Sequence, residues 1–488
     1  MERFARRACL LLGCAAIVSI AGCYYLRASS GGGQTDFKPP RVVRAADIAL
    51  PSGYQIEAVA SGLTFPTGIT FDGSGVPYVT EAGYSYGEVW TTPRLLRIDA
   101  KGGTTEIAAG RRNGPWTGVA FADDAFFVAE GGQLEGGRIL RITADGRVTP
   151  LIDKLPSHGD HHTNGPAVGP DGKIYFGQGT ATNSGVVGED NFKFGWLQRF
   201  PDFHDVPCRD LELAGENFES SDPTKRTSGT VKTGAFLPFG TAASKGQLVK
   251  AGLPCNGAIL RINPDGSEAE LVADGLRNPF GLAFAPDGQL YVAENGPDDR
   301  GSRPIWGAGD VLWRITPGTW YGWPDFAEGR AITYETYKPP HKKQPTNLLA
   351  QHPGTPPKPA AVLGVHASAD GLDFSRSPAF GYAGEAFVAE FGDQAPVVGK
   401  VMHPVGYRVV RVDVNTGRIE DFAVNKGRHN GPASKNGNGG FERPVAVRFS
   451  PSGDALYVVD FGVMLETSKN SQPQQNTGVL WRISRTGS

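Results

Sequence analysis

Charge of one sign, cysteine and helical periodicity are all scarce in this sequence. With 48 basic and 50 acidic residues the formal net charge is −2. No basic run stands outside the first residues, so no nucleic-acid partner is expected and a small molecule suits the chain better. No segment sustains a 3.6-residue apolar period, which excludes a helical bundle. Five cysteines are present, and three of them, Cys9, Cys14 and Cys23, fall at the N-terminus.

The one long apolar run follows Arg3, Arg6 and Arg7, extends over residues 8–20, and ends in Ala21 and Gly22 before Cys23. It is short for a permanent span and has the layout of a signal peptide. The segment 20–23 resembles the bacterial lipobox. The expectation is a signal over residues 1–22 and a lipid on Cys23 that anchors the protein in the cell envelope, with no other membrane contact. Residues 23–41, rich in Gly, Ser and Pro, read as a flexible tether, and the folded body as 42–488. Only Cys208 and Cys255 remain in that body, and two thiols in an oxidising compartment predict one disulfide.

What is abundant is glycine, 67 residues of it, in an internal repeat. A turn and short strand recur at 65–71, 114–121, 164–168, 278–284, 369–374 and 443–449. Each is followed by a tight turn and a second strand, at 76–81, 125–130, 169–176, 285–294, 386–390 and 450–458. An apolar strand interrupted by arginine comes third, at 95–98, 139–142, 259–262, 311–315, 409–412 and 479–483. Six copies of this unit predict an all-β fold, a six-bladed β-propeller around a central channel. Residues of about 186–252 and 331–360 break the rhythm and read as long insertions on one face, where binding sites tend to sit.

Innermost propeller strands line the channel, so the residues just before them converge at its mouth. Among these are His161, His162, Arg277, Asn278, His366 and Arg443. Histidine beside arginine and asparagine suits an oxidation that needs a proton acceptor near an anionic cofactor or substrate.

Over roughly 51–487 the sequence resembles the soluble quinoprotein glucose and sorbosone dehydrogenases, propellers that hold pyrroloquinoline quinone (PQQ) with calcium. The segment 275–284 is similar to that family's Arg-Asn-Pro stretch, which implies that Arg277 and Asn278 contact the quinone. The segment 294–299, followed by 320–324, resembles the stretch whose Gly-Pro carbonyls bind calcium, here Gly296 and Pro297. The catalytic histidine falls on the pair at 161 and 162: counting back from Gly169 selects His161, and the local His-x-x-Gly pattern selects His162, the preferred match. Arg443 matches one of the family's late arginines and joins the implied cofactor set, and His366, at the channel mouth, is added as a further cofactor-binding candidate.

Three positions depart from the family. Its aspartate aligns with Thr180, its lysine with Gly392, and one of its late arginines with Val445, which removes positive charge facing the three quinone carboxylates. Lys400, Arg408 and His366 are the candidates to restore it. The resemblance implies an enzyme that oxidises a sugar, polyol or sugar aldehyde and passes electrons to an acceptor in the cell envelope. Two other readings stand beside it: a calcium-dependent sugar lactonase, which needs Glu and Asn side chains on the channel strands, and a non-enzymatic propeller that binds a glycan or protein.

Overall fold

The repeats resolve into six antiparallel sheets, five of four strands and one of five. The computed structural model describes residues 37–85, 89–223, 229–394, 401, 403–427, 430–466 and 471–487. The expected signal, Cys23, most of the tether and Lys400 lie outside them. The innermost strands Pro66–Phe71, Trp116–Ala122, Thr163–Val168, Pro279–Phe284, Ala369–Phe374 and Pro444–Phe449 each touch the next, and the sixth touches the first, which closes the ring. The expected six-bladed propeller is what the chain forms.

Position within a blade sets the residue pattern. The strand Ala125–Glu130 is buried throughout, whereas the outer strand Val148–Leu155 of the same blade is mostly exposed or half-buried. Strands covered on both faces read as continuous apolar runs, and only outer ones carry polar residues freely. Glycine at the third position of an inner strand lets blades approach at the axis. A Cβ on Gly118 would lie 2.3 Å from the Gly165 carbonyl oxygen of the next blade, and one on Gly281 would lie 2.0 Å from that of Asp370.

A second recurring device holds the entry loops of most blades; in the fifth, Glu390 pairs with Arg408 instead. The second strand ends in Glu81, Glu130, Gln178, Glu294, Glu390 or Asp460, opposite the first residues of the inner strand. In blade four, Glu294 accepts the backbone N–H of Arg277 and the indole N–H of Trp313. In blade six, Asp460 accepts the backbone N–H groups of Glu442 (2.9 Å) and Arg443 (2.8 Å). The carboxylates thus fix the loops that open onto the channel.

The sixth blade takes its outer strand, Tyr54–Leu63, from the N-terminal end of the body, paired antiparallel with Gly478–Arg485. Arg41 extends this closure by donating to the Asp460 carboxylate and to the Thr477 and Gly440 carbonyls. The buried Trp481 packs at this seam in a core of Phe387, Val447, Leu456 and Val458. Truncating such a residue to alanine costs about 3–5 kcal/mol.

Between Gln178 and Ala258, and between Arg314 and Ala361, the chain leaves the blades. The two excursions pack against each other through Val186, Leu213, Phe236, Trp320, Trp323 and Leu348. Buried Arg303 ties them together, donating to the Ser184, Pro324 and Thr346 carbonyls and pairing with Asp325 at 2.9 Å. The Cys208–Cys255 disulfide forms within the first excursion.

Candidate active site at the channel mouth

Loops from all six blades meet around a cavity of about 910 Å³. Tyr84 and Gln133 come from the first two blades, His161 and His162 from the entry to the third, and Arg277, Asn278 and Asn295 from the fourth. His366 and Gly392 come from the fifth and Ser471 from the sixth. The first excursion adds Asp190, Phe194, Trp196 and Ser220. This volume is near the upper end of small-molecule sites, roughly 300–1,000 Å³.

The two neighbouring histidines differ in what holds them. His161 Nδ1 lies 2.9 Å from the Thr180 carbonyl oxygen and 3.0 Å from its hydroxyl, and that hydroxyl donates to Thr182. Both groups therefore act as acceptors toward the ring, so Nδ1 carries the proton and Nε2 the lone pair. Burial holds the His161 pKa well below the ordinary 6.5, aided by the charges of Arg277 and Arg300. His162 is half-buried, its buried Nδ1 has no partner among the described residues, and its ring meets Tyr84 edge-on at 6.2 Å. Burial lowers its pKa to about 4 against the Ser157 backbone and Asp160.

Arg277 and Asn278 do stand at the cavity, within a polar net. The Arg277 guanidinium donates to the Asn183 carbonyl (3.1 Å), the Asn183 side chain (2.9 Å), the Asn295 carbonyl (3.1 Å) and Asp298 (2.9 Å). Asn278 donates to the Asn295 side chain at 2.7 Å and accepts from Asn164 at 3.0 Å. Asp298 also faces His366 Nδ1 at 3.4 Å and Arg300 at 3.0 Å. Burial opposes its ionisation, yet Arg277, His366 and Arg300 together hold its carboxyl well below the usual range. Arg300 binds Asp160 (2.6 Å) and Asp190 (2.7 Å) as well.

Gly296 and Pro297 follow directly. The Gly296 N–H donates to Asp310 at 2.9 Å, and among the described residues neither the Gly296 nor the Pro297 carbonyl accepts a hydrogen bond. Burial pushes the Asp310 carboxyl up to about 6 against its two backbone donors. His366 Nε2 is buried without a partner among the described residues. His366 and Ser368 have φ of 58° and 51°, a left-handed conformation that costs such residues about 1–3 kcal/mol and clusters at functional sites.

Arg443 is not among the residues lining the cavity. Its guanidinium lies behind Gly392, donating to the Gly392 and Asp393 carbonyls at 2.9 and 3.2 Å and facing Glu466 at 3.4 Å. The Tyr407 ring explains Gly392, since a Cβ there would come within 2.5 Å of it. Val445 is buried in the apolar core. Arg408 pairs with Glu390 and Asp421, both at 2.7 Å, away from the cavity. Asn183, Asp298, Arg300 and Thr180 are the site residues that sequence reasoning gave no role; only the resemblance drew attention to Thr180.

Fold and site define a six-bladed propeller with a histidine-bearing polar cavity at one channel mouth. Residues 242–413 match the glucose/sorbosone dehydrogenase family model, so the resemblance read from the sequence holds over the segment with Arg277, Asn278, Gly296 and Pro297. Quinoprotein glucose dehydrogenase B of Acinetobacter calcoaceticus is 27% identical over 179 residues, 36% of this chain and 28% of that protein. The chain thus spans under a third of that relative's length. The PQQ-bound aldose sugar dehydrogenase of Streptomyces coelicolor shares the fold at TM-score 0.50 and 18% identity, over 89% of this chain and 99% of that one. The pyranose dehydrogenase PQQ domain of Coprinopsis cinerea does so at TM-score 0.53 and 16% identity, over 92% and 98%.

Proposed function

We propose that this protein is a quinoprotein oxidoreductase that oxidises a hydroxyl, or the hydrate of an aldehyde, on a sugar or polyol, with PQQ and calcium at the channel mouth. The observation that carries the reading is His161, a buried imidazole with its proton confined to Nδ1, in a cavity lined also by Arg277, Asn278 and Gly296, with Pro297 next to Gly296 on a small adjoining pocket.

The residues present fit the cofactor. Arg277 Nη1 makes one hydrogen bond although it has two N–H groups, which leaves a donor for a carboxylate. His366 Nε2 is a buried polar atom without a protein partner. The Gly296 and Pro297 carbonyls are hard oxygen donors suited to Ca²⁺. Arg277, Asn278 and His366 would hold the quinone, and Gly296 and Pro297 the cation, whose charge offsets the missing lysine and arginine. When bound, the quinone supplies the hydride acceptor.

His161 performs the proton transfer. Its neutral Nε2 accepts the hydroxyl proton of the substrate, and Thr180 holds the ring in the tautomer that leaves Nε2 free. Arg300 and Asp298 act as positioning residues by fixing Arg277 and the loop behind it. An N-terminal signal, a lipid on Cys23 and an electron acceptor in the cell envelope complete the proposal; the disulfide supports an oxidising compartment.

The test is sugar-dependent reduction of a dye by protein supplied with PQQ and Ca²⁺. Turnover that disappears in His161→Ala supports the proposal; no turnover across aldoses, polyols and sugar aldehydes overturns it.

A further inference from the structure

Three buried polar atoms without hydrogen-bond partners among the described residues stand in one part of the cavity wall: Asp190 Oδ1, Ser220 Oγ and Ser302 Oγ. The other Asp190 oxygen is fixed on Arg300 at 2.7 Å. A buried polar atom left without a partner is costly, and three together mark a place where a ligand's hydroxyl groups belong. Two glycines keep the space open. A Cβ on Gly188 would sit 3.0 Å from Asp190 Oδ1 and 3.1 Å from Ser302 Oγ, and one on Gly301 would sit 2.9 Å from Asp190 Oδ1.

Phe194 lines the same region and is 40% exposed, the one exposed large apolar side chain among the described residues that faces this cavity. The Arg300 guanidinium 4.9 Å from its ring centre holds it in place. An anchored, water-facing ring beside hydrogen-bonding oxygens matches a saccharide, which offers an apolar C–H face and a hydroxyl edge. The charges here narrow the class. Asp190, Glu189 and Glu219 line the wall, and Lys193 is paired with Glu189 at 3.0 Å, so a sugar acid meets like charge.

We propose that the helix Glu189–Lys193 with Phe194, the strand Asn217–Ser221 and Ser302 form a subsite for a neutral saccharide ring, stacked on Phe194 and hydrogen-bonded by Asp190, Ser220 and Ser302. Both inserted elements belong to the first excursion, and Ser221 donates to Glu189 to join them. The subsite adjoins the base, since Asp160, directly before His161, accepts from Asn191 (3.0 Å) and Trp196 (2.7 Å) around this helix. The inference rests on the oxidoreductase reading and deepens it by naming how substrate is selected.

The test is binding in the absence of turnover. Glucose, maltose and glucuronate are titrated into the full protein without quinone and followed by ligand-observed NMR, and PQQ with Ca²⁺ is titrated separately into the same preparations. Expected are saturable binding of glucose or maltose and at least about tenfold weaker binding of glucuronate. A further loss of about tenfold or more is expected in Phe194→Ala and Gly188→Ala, with retention in Phe194→Trp and unchanged thermal midpoints. Equal binding by wild type and both variants, glucuronate binding as tight as glucose, or no saccharide binding up to about 100 mM overturns the subsite. PQQ binding in the same samples judges the oxidoreductase reading independently.

Discussion

Thr180 joins the candidate base to the arginine beside it: it takes the His161 Nδ1 proton on its carbonyl and hydroxyl oxygens, at 2.9 and 3.0 Å, and donates its own N–H to the Arg277 carbonyl at 2.9 Å. One buried residue therefore sets both the tautomer of the base and the position of the loop that carries Arg277 and Asn278. His161→Asn should lower kcat by about 10²–10⁴-fold. Thr180→Val, which keeps the carbonyl and loses the hydroxyl, should cost about 0.5–1.5 kcal/mol of transition-state stabilisation. His162→Ala should change kcat far less than His161→Asn; steady-state kinetics on the three variants separates the two histidines.

The acid limb of the activity profile follows from His161. Burial, with Arg277 and Arg300 nearby, depresses its pKa well below 6.5. The imidazole must be neutral to accept a proton and stays neutral as pH falls through 6.5. Activity should therefore persist below pH 6.5 and decline only well under it. A kcat/KM profile with its acid midpoint at 6.5 or above contradicts the assignment.

Glu294 couples stability to the site. Its two oxygens accept from the Arg277 backbone and from Trp313, so Glu294→Gln turns an amide N–H₂ toward one donor and should cost about 1–3 kcal/mol. Burial pushes the Glu294 carboxyl up to about 7 from 4.5, against those two donors. The folded protein then holds a proton that the unfolded chain has released, and this contribution to stability falls as pH rises from 4.5 to about 7. Denaturant unfolding of wild type and Glu294→Gln across that range should show a shallower decline in the variant.

Reduction of Cys208–Cys255, whose sequence separation is 47, should destabilise the protein by about 4 kcal/mol on the chain-entropy estimate. Its loop belongs to the first excursion, so the loss should fall on saccharide and quinone binding before it reaches the blades. Hydrogen exchange under reducing conditions reads the difference.

The blades were legible because they repeat local chemistry: a third-position glycine such as Gly118 in all but the sixth, where Ala446 stands, a second strand closed by an acidic residue such as Glu130 in all but the third, where Gln178 stands, and an apolar third strand. The outer strand Tyr54–Leu63 was not, since its partner Gly478–Arg485 lies at the other end of the chain and nothing local announces the pairing. Arg443 shows the limit of placing residues by position before a strand. No residue of its entry loop lines the cavity, and Glu466 with the Gly392 and Asp393 carbonyls holds the guanidinium behind the wall. His161 and His162 both line the cavity in an irregular segment before the strand Thr163–Val168, and what separates them is the Thr180 contact of His161, which no motif match encodes. Asn183, Asp298 and Arg300 lie in irregular segments, where position depends on contacts that no periodicity encodes.

The most direct test of the central claim is calorimetric titration of PQQ into the protein with Ca²⁺ and again with a chelator, beside Arg277→Ala and His161→Ala. The account predicts stoichiometric binding that requires Ca²⁺, is lost in Arg277→Ala and persists in His161→Ala. Absence of binding at saturating Ca²⁺ contradicts it.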